Sequence, residues 1–266
     1  MYPDIGELID FYERPMGQRV RRLIAHRIRA RWRDVRGQTV AGLGYAPPYL
    51  GTFRGEAQRL AALMPAAQGT HAASPQRPVQ AVLVEDDLLP LPDESVDRLL
   101  AVHAIEMCAS PKHTLREIWR VLRPEGRLLV IVPNRRGMWA HRDTTPFGHG
   151  RPYSRGQIES LLGGAMFSIE ECTFALATPP IERDFVWSRS LWLERAGSKA
   201  WPRFSGVILL EASKQMVSTL DVARRRTVRV PIGALASPAR PARGALRQLP
   251  AQPALPPPSR DRRKTA

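Results

Sequence analysis

Ile5, Leu8, Ile9 and Tyr12 recur at i, i+3, i+4 and i+7, which puts them on one face of a helix. Pro15 interrupts that pattern. A second helix follows, with Val20, Leu23, Ile24, Ile28 and Trp32 along one side. Arg19, Arg21, Arg22, Arg27, Arg29, Arg31 and Arg33 fill its remaining surface. Such charge reads first as a solvated face whose stems cover apolar surface, and second as a patch facing phosphate or substrate.

From residue 38 the period shortens. Gln38 to Tyr45 reads as a strand running into a Gly-containing turn, Leu60 to Met64 as a weaker strand, and Val79 to Val84 as a third. Gln68 to Pro78 is small, polar and broken by proline, as loops are. After the acidic turn Glu85-Asp86-Asp87, the run from Asp97 to Ile105 is almost continuously apolar, which suits a strand buried on both faces of a parallel sheet. Ser110-Pro111 is an N-cap followed by proline at the first helical position. Leu115, Ile118, Trp119 and Leu122 form the helical stripe that follows, Arg123-Pro124-Glu125-Gly126 stops it, and Arg127 to Pro133 is the next buried strand. Strand, crossover helix and parallel strand make the unit of doubly wound α/β sheets.

Asn134 to Tyr153 reads as a polar loop, Ser154 as the cap of a helix through Ile158, Leu161 and Leu162, and Phe167 to Leu176 as a strand. Pro179 to Pro202, with Trp187, Trp192 and Trp201, reads as an inserted helical segment, and Phe204 to Ser213 as the last strand. The expected organisation is N-terminal helices over 1–36, an α/β domain over 37–220 and a tail over 221–266.

Charge changes the picture only at that tail. The net charge of +15 is concentrated from Arg224 to Ala266, where ten Arg and one Lys face the single acid Asp261. Eight of the 25 prolines also lie there, with no aromatic residue, so the tail is expected to be disordered. It is the candidate for binding nucleic acid or an acidic partner. Cys108 and Cys172 have no zinc-ligand spacing and suit a reduced compartment. No apolar run reaches the ~18 residues of a membrane span, and the acidic, amphipathic first residues do not read as a secretory signal. The expectation is a cytoplasmic protein.

The acidic turn followed by LPLPDESVD, an apolar strand, a helix ending RVLRPEG and then RLLVIVP resembles the back half of class I S-adenosylmethionine-dependent methyltransferases, in the methyltransferase type 11 group. The resemblance implies a Rossmann-like sheet of seven strands flanked by helices, mostly parallel with the last strand antiparallel. It implies S-adenosylmethionine as methyl donor, lying across the carboxyl ends of the first strands, and a small or anionic acceptor.

The family's first loop, an acid, a hydrophobic residue and then Gly-x-Gly-x-Gly, aligns with Gly42-Leu43-Gly44-Tyr45-Ala46-Pro47-Pro48. Gly44 is in place, while the acid has become Gly42 and the later glycines Ala46 and Pro48. The acid that ends the second strand and holds the ribose aligns near Met64, which cannot accept those hydrogen bonds. By resemblance the donor-binding residues are Gly42, Gly44, Tyr45, Asp86, Asp87, Leu88 and His103. Asp86 or Asp87 would accept from the adenine amino group, Leu88 would pack on the ring, and His103 would line the methionine end. His149 and Tyr153, with Arg151 between them on a loop, are the candidate general base or acceptor-binding groups. Arg135, Arg136, Trp139, His141 and Arg142 could grip an anionic acceptor. Two other functions remain open: a methyltransferase-fold binding protein without activity, and a nucleic-acid-associated protein that uses the tail.

Overall fold

A computed structural model of the chain describes residues 4–69, 81–181 and 204–215. The described strands form a seven-stranded sheet in the order β3-β2-β1-β4-β5-β7-β6. The strands are β1 Thr39–Gly44, β2 Arg59–Pro65, β3 Ala81–Val84, β4 Val96–Val102, β5 Leu122–Pro133, β6 Phe167–Ala175 and β7 Val207–Lys214. The first five pair in parallel, and β7 runs antiparallel to both β5 and β6. This is the arrangement that the resemblance implies. The chain leaves β1 towards β2 and β3 on one side and returns to β4 on the other. The crevice outside the carboxyl ends of β1 and β4 is therefore the switch point where open α/β sheets take ligands.

The helices are α1 Ile5–Glu13, α2 Pro15–Arg31, α3 Pro47–Leu50, α4 Pro111–Val121 and α5 Arg155–Gly164. Pro15 does not merely break a helix. It occupies the first position of α2, where its missing N–H has no partner to lose. Asp4 caps α1 through the amide of Gly6 at 2.7 Å, and Ser154 with Gln157 forms a reciprocal capping box on α5. In α1, Leu8, Ile9, Phe11 and Tyr12 are buried, each burial contributing about 2 kcal/mol.

Two boundaries differ from the sequence reading. The fourth strand ends at Val102 rather than Ile105, because His103 takes a left-handed backbone (φ 50°) and turns the chain out of the sheet. The run Arg123 to Gly126 does stop a helix, but it also lies within β5. Val96 pairs with Leu122 and Arg98 with Arg127, so the extra residues form a bulge with Glu125 at φ 61°.

The helical arginines are partly structural. Arg31, almost buried, pairs with Glu171 at 2.6 Å and Glu211 at 3.5 Å, and the Trp32 Nε1–H donates to Glu211 at 3.0 Å. Arg29 pairs with Glu56 and lies over the Phe53 ring. The expected Trp187, Trp192 and Trp201 segment and the basic tail lie outside the described residues. Among the described residues no helix is long and apolar enough to cross a membrane.

Candidate functional site

The first loop begins with a constraint on Gly44. Its φ is +79°, and a Cβ there would sit 2.3 Å from the Val102 carbonyl oxygen. Only glycine lets β1 turn out of the sheet this close to β4. The Tyr45 N–H then donates to that same carbonyl at 2.8 Å. Gly42 is buried inside β1, where a Cβ would meet the Ala46 side chain at 2.5 Å. Pro47 and Pro48 open α3 and have no N–H. The loop therefore offers a ligand fewer amide donors than a run of glycines would.

Above these strand ends lies α1. The Tyr12 ring stacks on Tyr45, with centroids 5.2 Å apart, and meets Tyr49 and His103 edge-on. The Tyr49 hydroxyl donates to the Tyr12 hydroxyl at 3.0 Å, and Tyr12 meets His103 Nε2 at 2.9 Å. With Tyr49 donating, the Tyr12 proton points to Nε2, which leaves the imidazole proton on Nδ1. Nδ1 lies 3.3 Å from Glu106 Oε1. The Phe147 ring, 4.9 Å from His103, closes the far side. Burial pushes the Tyr12 phenol well above its ordinary range and Tyr49 above it as well, so both stay protonated donors.

Asp86, Asp87 and Leu88 lie in a tight turn after β3, closed by the Leu88 N–H on the Glu85 carbonyl. Asp86 is half-buried, Asp87 is exposed, and Leu88 is 68% exposed, leaving apolar surface for a flat ring. Met64, where the ribose-binding acid is expected, is buried at the end of β2. At the first loop and at Met64 the residues depart from the pattern that the resemblance implies.

His149 and Tyr153 flank one loop but face different clefts. His149 lines a cleft of about 310 Å³ with Glu7, Asp10, Phe11, Arg14 and Asp143. Tyr153 lines one of about 520 Å³ with Arg135, Arg151 and Gln157. Burial, then the neighbouring Cys108 and Glu106, pushes the Tyr153 phenol up to about 12, so near neutrality it acts as a donor. Its hydroxyl donates to the Ile105 carbonyl at 3.5 Å. Of the other candidates on the loop, Trp139 is a core residue whose Nε1–H donates to the Thr178 carbonyl, while Arg136, His141 and Arg142 are exposed.

Sequence reasoning brought Gly42, Gly44, Tyr45 and His103 to one place, and the structure adds Tyr12, Tyr49, Glu106 and Phe147 around them. Tyr12 and Tyr49 give no sign of this role in the sequence, since their helical positions look like ordinary core. Glu106 does give a sign: it is a lone acid inside the apolar run AVHAIEMCA.

Comparison with known proteins bears on the fold that carries these residues. Residues 41–130 match the family model described as a methyltransferase domain. A probable S-adenosylmethionine-dependent methyltransferase of Mycolicibacterium smegmatis is 40% identical over 85 residues, covering 31% of this chain and 33% of that protein. One of Mycobacterium tuberculosis (strain CDC 1551 / Oshkosh) is 42% identical over 91 residues, covering 34% and 32%. These matches span about a third of the relatives' length. Among solved structures, a chain of the complex between the Haloferax volcanii Trm112 methyltransferase activator and a methyltransferase aligns with a TM-score of 0.57 at 20% identity, over 81% of this chain and 100% of that one. The 4+2 cyclase SpnF aligns with a TM-score of 0.53 at 20% identity, over 76% and 83%.

Proposed function

We propose that this chain, whose residues 41–130 match a methyltransferase domain, is a class I S-adenosylmethionine-dependent methyltransferase that transfers the donor's methyl group to a small-molecule acceptor. The observation that carries this reading is the topological switch point at the carboxyl ends of β1 and β4, which lies within the stretch matched by the family model. The family's donor is S-adenosylmethionine, which supplies a methyl group already activated on a sulfonium.

The protein's own tasks are then to bind, align and exclude water. Asp86 or Asp87 would accept from the adenine amino group, and Leu88 would pack on the ring. Gly42, Gly44 and Tyr45 would shape the floor of the crevice, with His103 at its inner end. The α1 helix, through Tyr12 and Phe11, would keep the crevice dry. His149 and Tyr153 would meet the acceptor from the loop after β5. Tyr153, a protonated phenol beside Arg135 and Arg151, suits an anionic or polar group on that acceptor better than it suits the role of base.

One observation favours a second reading, a binding protein of the same fold without transfer. The Tyr45 amide is already bonded to Val102, and Pro47 and Pro48 have none to offer. A fold alone does not fix an activity, and the cyclase among the structural neighbours carries a different one. Incubation of full-length protein with methyl-tritiated S-adenosylmethionine and a panel of small amines, phenols, thiols and carboxylates tests the proposal. Label in an acceptor supports transfer; retained donor binding with no label in any class favours the second reading.

A further inference from the structure

Glu106 is 2% exposed, and neither oxygen of its carboxyl group makes a hydrogen bond. His103 Nδ1 lies 3.3 Å from Oε1, and that nitrogen also completes no hydrogen bond. A buried carboxyl group whose oxygens complete no hydrogen bond is costly, and native structures rarely keep one unless it serves a ligand or a reaction. Glu106 is also placed where a ligand would arrive. It lies four residues beyond the end of β4, at the carboxyl edge of the sheet. The loop carrying His149 and Tyr153 is fastened directly onto it: the Arg151 N–H donates to the Glu106 carbonyl at 2.8 Å, and a Cβ on Gly150 would lie 2.6 Å from that oxygen.

The surroundings select the sign of the ligand. The aromatic groups next to His103 are Tyr12 and Phe147, whose ring faces attract cations. Phe11, which packs on both, also lines the His149 cleft, where Glu7, Asp10 and Asp143 outnumber Arg14 among the fully charged side chains. A cation entering that cleft would meet Phe11, which packs on the two rings beside His103.

We propose that Glu106 anchors a cation-binding subsite, in which its carboxylate and the neighbouring rings of Tyr12, His103 and Phe147 hold the protonated amine of the acceptor. The subsite stands on the geometry of Glu106; the word acceptor rests on the methyl-transfer reading. The donor's own ammonium group shares this chemistry, so the test has to separate the two sources.

Thermal unfolding of the full-length protein does so, with n-butylammonium chloride as probe and sodium butyrate at equal ionic strength as control. Each is measured with and without saturating S-adenosylhomocysteine, on the wild type and on Glu106→Gln. The butylammonium ion is expected to raise the midpoint by about 3 °C at several times its dissociation constant, and butyrate to leave it unchanged. The shift disappears in Glu106→Gln, whose probe-free midpoint equals or exceeds that of the wild type, because a buried carboxyl group with no completed hydrogen bond has been removed. With S-adenosylhomocysteine present the shift persists.

No shift with butylammonium, or an equal shift in Glu106→Gln, overturns the subsite. Loss of the shift when S-adenosylhomocysteine is added assigns Glu106 to the donor and overturns its assignment to the acceptor. A butylammonium shift in a protein that ignores S-adenosylhomocysteine keeps the subsite and removes the methyl-transfer reading instead. Should Glu106→Gln fail to fold, the wild-type contrast between cation and anion still decides.

Discussion

The Tyr12 hydroxyl lies 2.9 Å from Nε2 of His103, which fastens α1 to the end of β4 across 91 residues of sequence. The same hydroxyl accepts from Tyr49, so one phenol joins three elements over the crevice. Tyr12→Phe keeps the ring and removes both hydrogen bonds. It is expected to destabilise the protein by about 1–3 kcal/mol, the cost of leaving two buried polar groups unpaired. Urea unfolding measures it, with the midpoint lowered and the slope unchanged.

Gly44→Ala meets two obstacles at once. The residue must adopt φ +79°, and its methyl carbon must sit 2.3 Å from a backbone oxygen. A left-handed backbone alone costs about 1–2 kcal/mol, and the clash adds to it. The expected loss exceeds ~2 kcal/mol in urea unfolding. Gly37→Ala, at φ +71° but with open space around the new methyl, is expected to lose only the backbone part.

Glu211 holds α2 against β7 by accepting from Trp32 and pairing with Arg31 and Arg127. Glu211→Ala leaves Arg31 and the Trp32 N–H in a buried setting with a partner gone. The expected cost is about 3 kcal/mol, near the lower bound for broken buried pairs because Arg31 keeps Glu171. The denaturation midpoint checks it, and Thr52→Ala, at an exposed residue whose hydroxyl donates to the Tyr49 carbonyl, serves as a milder comparison.

The tyrosines set an alkaline limit on stability. Tyr12, Tyr49 and Tyr153 have folded-state values raised above the ordinary 10, chiefly by burial, with Tyr153 at about 12. Their unfolded forms ionise first. The stability they contribute is therefore complete below pH 10 and is lost as the pH rises from there through the folded values. Unfolding midpoints are expected to be insensitive to these groups between pH 7 and about 9 and to fall above 10. Phenolate absorbance should grow in step with that unfolding; early ionisation of these three phenols in folded protein would refute it.

Asp86→Ala combined with Asp87→Ala removes both carboxylates from the turn after β3. Donor affinity is expected to fall about tenfold, or ~1.4 kcal/mol, while far-ultraviolet circular dichroism stays unchanged. An unchanged affinity would take these residues out of the site.

The fold was legible where local signals agree with burial. Leu99 to Val102 and Leu128 to Pro133 are apolar runs because both faces of the central strands are covered. Ser154 and Gln157 carry their cap in the sequence. The bulge in β5 was hidden, since Arg123-Pro124-Glu125-Gly126 has the composition of an ordinary turn and only the pairing of Val96 with Leu122 reveals it. The site was half legible. Gly44 and His103 sit next to strand ends that periodicity locates. Tyr12 meets His103 through tertiary packing alone, and no local pattern encodes a contact of that range. The opposite charges of the two clefts were equally hidden, because Glu7 and Asp10 are far in sequence from Asp143 and His149.

Isothermal titration of the full-length protein with S-adenosylhomocysteine tests the central claim most directly. Saturable binding at one site per chain, weakened in the Asp86→Ala, Asp87→Ala double variant, is the predicted result. Absence of binding at millimolar ligand would contradict the assignment of the crevice between β1 and β4 as a donor site.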